Sequence, residues 1–189
     1  MAFCKGLENN AAEGADGFKD FLQIIDELER LGAENDWCKE VGERLRKSKL
    51  YLKTTYRNHC KEDDSKCADH CGVFALSDAG DTDFQKICSH SHKVKCEDCE
   101  KLKNVLEEVK GAISEYTMQL GMFQAEDYLY EAKNAAAKIF EWRGHILRAE
   151  NQDWYKRQIV DALKRVETFI IVDWTMKFIA MKFWEKQAE

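Results

Sequence analysis

His59-Cys60, Cys67-Ala68-Asp69-His70-Cys71, Cys88-Ser89-His90-Ser91-His92 and Cys96-Glu97-Asp98-Cys99 follow one another within one polar stretch. Between His59 and Cys99 lie six of the eight cysteines and four of the five histidines of the chain. A segment that needed only an apolar core would have no reason to collect thiols and imidazoles, so the pattern predicts that coordinate bonds to zinc replace part of the core. Disulfides are the rival reading, but they have no use for interleaved histidines. Cys67-x3-Cys71 and Cys96-x2-Cys99 form two pairs, and Cys88-x-His90-x-His92 lies between them. Ten candidate ligands exceed the four that one ion needs, so one or two structural zinc ions are expected.

The flanks of this stretch are helical by pattern. The 189 residues include no proline, so no missing backbone donor interrupts a helix. With 44% apolar residues the chain can bury a core. A formal charge of −6 excludes a uniformly basic nucleic-acid coat and shifts attention to local charge. Residues 1–10 show no secretory pattern, and the longest apolar run, Phe169–Val172, is far too short to span a bilayer. An intracellular, reducing setting without membrane attachment is expected, and thiols there more often bind metal than cross-link.

Residues 1–17, with Gly6, Gly14 and Gly17 and no apolar period, read as a mobile leader. From 18 to 58 two amphipathic helices are expected: Phe18, Phe21, Leu22, Ile25 and Leu28 form the first stripe, closed by Gly32. Asn35 or Asp36 can cap the second, whose apolar face runs Trp37, Val41, Leu45, Leu52 and Tyr56. The opposite face sets Lys39, Arg44, Arg46, Lys47, Lys49, Lys53 and Arg57 against only Glu40 and Glu43. It reads either as a solvated helix face or as a DNA-contacting surface, with Arg44, Arg46, Lys47, Lys49 and Lys53 on phosphates and Tyr51 packing on a sugar or base.

After the metal-binding module, residues 59–100, a helical spacer is expected over 101–167. Its first stripe is Leu102, Val105, Leu106, Val109, Ile113, Tyr116 and Leu120; its second runs from Leu129 to Leu147 with small residues at Ala135, Ala136 and Ala137. An antiparallel pair turning near Gln124–Asp127 is the simplest packing, followed by a third run from Asp153. His145 reads as a satisfied, partly buried core histidine. Residues 168–189 begin with Phe169-Ile170-Ile171-Val172-Asp173-Trp174, a β-branched run that predicts a strand closed by a carboxylate.

Several of these pieces together resemble a known family. Ala68-Asp69-His70-Cys71, Phe74-Ala75-Leu76-Ser77-Asp78, Cys88-Ser89-His90-Ser91-His92, Cys96-Glu97-Asp98-Cys99 and Asp173-Trp174-Thr175-Met176-Lys177-Phe178 are similar to a transposon-derived protein family of cnidarian and sponge genomes. The resemblance spans most of the chain from Gly17 onward. It implies zinc ligation by His70, Cys71, Cys88, His90, His92, Cys96 and Cys99, with His59 as the eighth ligand, and leaves Cys60 and Cys67 outside the pattern. It also implies that Asp173 ends the first strand of a ribonuclease-H-like transposase core and is one of the carboxylates that hold two Mg²⁺ ions there. One carboxylate is not a site, so Mg²⁺ and catalysis are expected only of a longer parent.

The expected fold is thus mainly α: helices around a central Cys/His zinc-binding module, with a C-terminal strand that begins a truncated ribonuclease-H-like α/β domain. The expected function is the zinc-stabilised N-terminal region of a transposase-like protein, with DNA as a candidate partner, nuclear if it binds DNA, and catalytically inactive as given. The alternative is a zinc-organised helical protein-interaction module that forms a homo-oligomer through the 101–167 helices. A zinc hydrolase is the weakest third reading, since cysteine-rich sites are usually closed and structural.

Overall fold

The computed structural model describes residues 4–60, 65–75, 88 and 91–170. Helix α1 spans Cys4–Arg30, α2 Asn35–Thr54, and α3 is one further turn, Tyr56–His59. A 3₁₀ turn at Ala68–His70 and the short α4, Gly72–Ala75, lie in the Cys/His stretch. Then come α5, Glu97–Glu115, the single turn α6, Thr117–Leu120, and α7, Met122–Ala162. The four long helices pack in the ring order α1, α2, α5, α7, with α7 lying chiefly against α1.

One core runs through this ring. Phe18, Phe21, Leu28, Val41, Leu45, Leu52, Leu102, Leu106, Ile113, Ile139 and Leu147 are almost wholly buried, and they fall on the helical stripes that the sequence shows. Gly32 ends α1 as expected, and it does so with φ +103°. Its amide donates to Glu29 O at 3.0 Å, and the Ala33 amide donates to Leu28 O at 2.9 Å. That pair of bonds satisfies the last carbonyls of α1 and turns the chain back into α2. Glu34 occupies the cap position of α2, and neither Asn35 nor Asp36 supplies a side-chain cap.

Three expectations fail, for physical reasons. The supposed leader is helical from Cys4, because Gly14 and Gly17 serve as close-approach positions rather than as flexible links. A Cβ on Gly17 would meet Ala135 O at 2.6 Å, and one on Gly14 would meet Trp142 at 2.6 Å. The partner of the small residues on α7 is therefore α1, with Ala132, Ala135 and Ala136 buried against it and Ala137 turned outward. The reversal between α5 and α7 lies at Tyr116–Gly121, not at Gln124–Asp127, because Gly121 (φ +82°, ψ 150°) adopts a conformation that only glycine reaches cheaply. The run from Asp153 is no separate helix either. It is the end of α7, about 60 Å long at the usual rise per residue.

Beyond a single parallel bridge between Cys67 and Val94, no strand is present among the described residues. Phe169 and Ile170 are irregular and exposed, so the expected strand does not form at its start. The rest of that strand, Asp173 and the ribonuclease-H-like segment lie outside the described residues.

Candidate metal centre

The end of the bundle where α2 finishes and α5 begins carries the Cys/His stretch. Helix α2 runs into α3 with only Thr55 between, in α conformation, so His59 falls about two turns after Tyr51 and on the same side. Tyr51 Oη lies 3.2 Å from His59 Nδ1. Cys96 is the residue before the first turn of α5 and Cys99 is inside that turn, so both sulfurs sit at the start of the helix.

His70 arrives from a third segment. Its 3₁₀ turn is clamped through Asp69, whose carboxylate accepts from Lys103 Nζ at 2.8 Å and from Arg143 Nη1 at 3.1 Å. The Tyr56 hydroxyl donates to Asp69 O at 2.7 Å. So α3, α5 and α7 together fix a turn of three residues. Within it His70 is buried, with Nε2 3.4 Å from Cys99 Sγ. His59, His70 and Cys96 present ligand atoms within 4.8 Å of one another. His59 Nδ1 and Cys96 Sγ stand 3.9 Å apart. Cys99 Sγ stands beside this group through His70 and is the nearest further thiol to it.

The second cluster grows from the next residue. His70 ends the 3₁₀ turn and Cys71 leaves it in extended backbone (φ −79°, ψ 115°), and the two neighbours contribute to different clusters. Cys71, Cys88 and His92 present ligand atoms within 4.8 Å of one another, with 3.4 Å between the two sulfurs. The Phe74 ring packs on His92 with centroids 4.6 Å apart. Val94 N donates to Lys66 O at 3.2 Å and closes the base of the loop that holds these ligands. His90 lies outside the described residues.

These clusters could hold metal ions. Cys38, Cys60, Cys67, Cys71, Cys88, Cys96 and Cys99 are all free thiols, so no disulfide is found among the described residues. Burial pushes the Cys99 thiol up to about 12 and also raises Cys71, which keeps both protonated until a cation displaces the proton. Burial and the neighbouring thiols raise the Tyr51 phenol far above its usual range, so it stays an O–H donor.

The structure does not bring every sequence candidate to a cluster. Cys67 joins neither ligand group among the described residues, while Cys71 does; the Cys67 backbone is bridged to Val94. Cys60 donates from Sγ to Tyr56 O at 3.3 Å, and burial lifts its thiol to about 12. His145 is not satisfied as expected: its Nε2 is buried without a hydrogen-bond partner among the described residues, and burial lowers its pKa. Two residues that position the ligands, Asp69 and Tyr51, escaped the site reading. A signal for Asp69 existed in the Asp-His-Cys run, but its partners Lys103 and Arg143 are distant in sequence.

The basic face of α2 is partly consumed within the fold. Arg44 pairs with Glu108 at 2.7 Å and Arg57 with Glu150 at 2.5 Å. Lys49 Nζ donates to Ala15 O at 3.4 Å, and Lys47 stands 4.0 Å from Glu43. Lys39, Arg46, Lys47 and Lys53 remain exposed. Tyr51, expected to pack on a sugar or base, is only 7% exposed and faces the first cluster instead. No described helix is long and apolar enough to cross a membrane. No protein-family model, curated protein or solved structure matches the chain.

Proposed function

We propose that this chain is a zinc-organised helical module that assembles with protein. The observation that carries the zinc reading is the convergence of His59, His70 and Cys96 from three separate segments, with Cys99 Sγ beside His70 Nε2 at 3.4 Å. Tetrahedral zinc with ordinary arms sets nitrogen and sulfur ligands roughly 3.5 Å apart. The 3.4 Å and 3.9 Å separations in the first cluster are supported by that comparison, and a mixed nitrogen and sulfur donor set suits zinc. The second cluster has Cys71, Cys88 and His92, and His90 is the natural fourth ligand. Both ions are structural: they fasten the polar link between α2 and α5 to the bundle end.

Assembly is supported by the far end of α7. After Asn151 its residues are exposed except Lys156, and Trp154, Tyr155, Ile159 and Val160 are among them. Large apolar side chains gathered at an exposed helix end mark a surface that favours burial against a partner. Self-association through α7 is the reading that follows. A second reading, the DNA-contacting N-terminal region of a transposase-like protein, draws on the exposed Lys39, Arg46, Lys47 and Lys53 and on the family resemblance. In that case Asp173 and Mg²⁺ chemistry belong to a longer parent.

Metal analysis and sedimentation of the purified chain test the proposal together. Two zinc ions per chain and a concentration-dependent oligomer that Tyr155→Glu with Ile159→Glu dissolves are the expected results. Metal-free, compact protein with its thiols joined covalently would remove the zinc reading. Duplex DNA affinity that falls steeply with salt, and falls again in an Arg46→Ala, Lys47→Ala, Lys53→Ala variant, would favour the second reading.

A further inference from the structure

We infer that the Tyr51 hydroxyl is the hydrogen-bond donor to the sulfur ligands of the first centre, a positioning residue that shares the thiolate charge and holds the ion in place; this rests on the zinc reading above. The Tyr51 ring is buried between the edge-on ring of Tyr56 and the tilted ring of His59. Its oxygen lies 3.2 Å from His59 Nδ1, 3.4 Å from His70 Nε2, 3.4 Å from Cys96 Sγ and 3.3 Å from Cys99 Sγ. One hydroxyl has one hydrogen to give. An imidazole nitrogen bound to an ion has no lone pair left to accept it, whereas a bound thiolate keeps spare lone pairs. With the ion in place, the only acceptors of this set are the two sulfurs.

The second cluster shows the same need met another way. The backbone N–H groups of Val73 and Phe74, in the turn after the ligand, act to lower the Cys71 thiol against the larger rise from burial. At the first cluster both sulfurs sit where α5 begins, and the donor comes from across the bundle, on α2. Two thiolates balance the charge of one divalent ion, and one of them, Cys99, is wholly buried. A donor at sulfur lowers the energy of its lone pairs, makes it less reactive to electrophiles and stabilises the thiolate against protonation.

Cobalt substitution of the full chain reads this directly. Tyr51→Phe keeps the ring and removes the donor, so the sulfur-to-cobalt charge-transfer absorption is expected to move to longer wavelength. Transfer of zinc to a competing chelator is expected to quicken by roughly tenfold. Tyr56→Phe is the control: it loses a hydroxyl bonded to Asp69 O rather than to sulfur, so its band should stay in place even if stability falls. An unmoved band and an unchanged transfer rate in Tyr51→Phe overturn the inference. Should that variant not fold, cadmium-loaded wild type decides by nuclear magnetic resonance: coupling between cadmium and the Tyr51 hydroxyl proton supports the bond, and its absence overturns it. A wild-type chain that takes up no cobalt overturns the zinc reading itself, and this inference with it.

Discussion

Asp69→Asn should loosen the whole Cys/His end of the molecule, although Asp69 belongs to neither ligand cluster. Its carboxylate is 16% exposed and joins Arg143, 18% exposed, to Lys103, 38% exposed. Removing one partner of a fully buried pair costs about 3–5 kcal/mol because the other charge is left unpaired. Here water reaches both groups, so the Arg143 side is reduced to roughly 2 kcal/mol, and the more exposed Lys103 adds about 0.5 kcal/mol at most. For a chain of this size a loss of about 2–3 kcal/mol lowers Tm by roughly 5–10 °C. The clamped turn also carries His70, so zinc affinity should fall in the same variant. Thermal unfolding of the zinc-loaded protein and a chelator competition measure the two effects. A double-mutant cycle with Arg143→Met should show that the second change costs less once Asp69 is gone. If Asp69→Asn unfolds within about 1 °C of wild type and binds zinc as tightly, the argument that the ion pairs position His70 is wrong.

Other perturbations probe other parts of the fold. Gly17→Ala puts a methyl 2.6 Å from Ala135 O and should cost about 1–3 kcal/mol in urea unfolding, although alanine is the better helix former. The clusters are nested in sequence, with Cys71, Cys88 and His92 all between His70 and Cys96, so Cys88→Ser should free only the 71–95 loop while Cys99→Ser destabilises the bundle end. Hydrogen exchange distinguishes these two outcomes. The pKa of His145 is lowered first by burial and then by the Arg148 charge, so below about 6.5 the unfolded chain binds its proton before the folded one does. Wild type should therefore lose stability relative to His145→Gln as pH falls from about 6.5 through the lower folded value, a difference that equilibrium unfolding at several pH values can read.

Local pattern was enough for some of this molecule. The helical stripes of Phe18–Leu28, Trp37–Leu52 and Leu102–Ile113 are written in the spacing of apolar residues, because a 3.6-residue period leaves one face to bury. Gly32 could be read as a stop because its φ requirement is local. The gathering of thiols and imidazoles between His59 and Cys99 was visible for the same reason: ligand chemistry is carried by residue type. What pattern could not supply was the partner of each face. Gly14 and Gly17 look like flexible links until α7 lies against them, since absence of a side chain means looseness in solvent and close contact against another helix. Tyr51 belongs to a basic helix in sequence and to the His59, His70 and Cys96 cluster in space. Composition thus showed that the polar middle gathers metal-ligand residue types; only the packing of α2, α5 and α7 at one end of the bundle decided which donors meet, because convergence depends on distances between segments that no local spacing encodes.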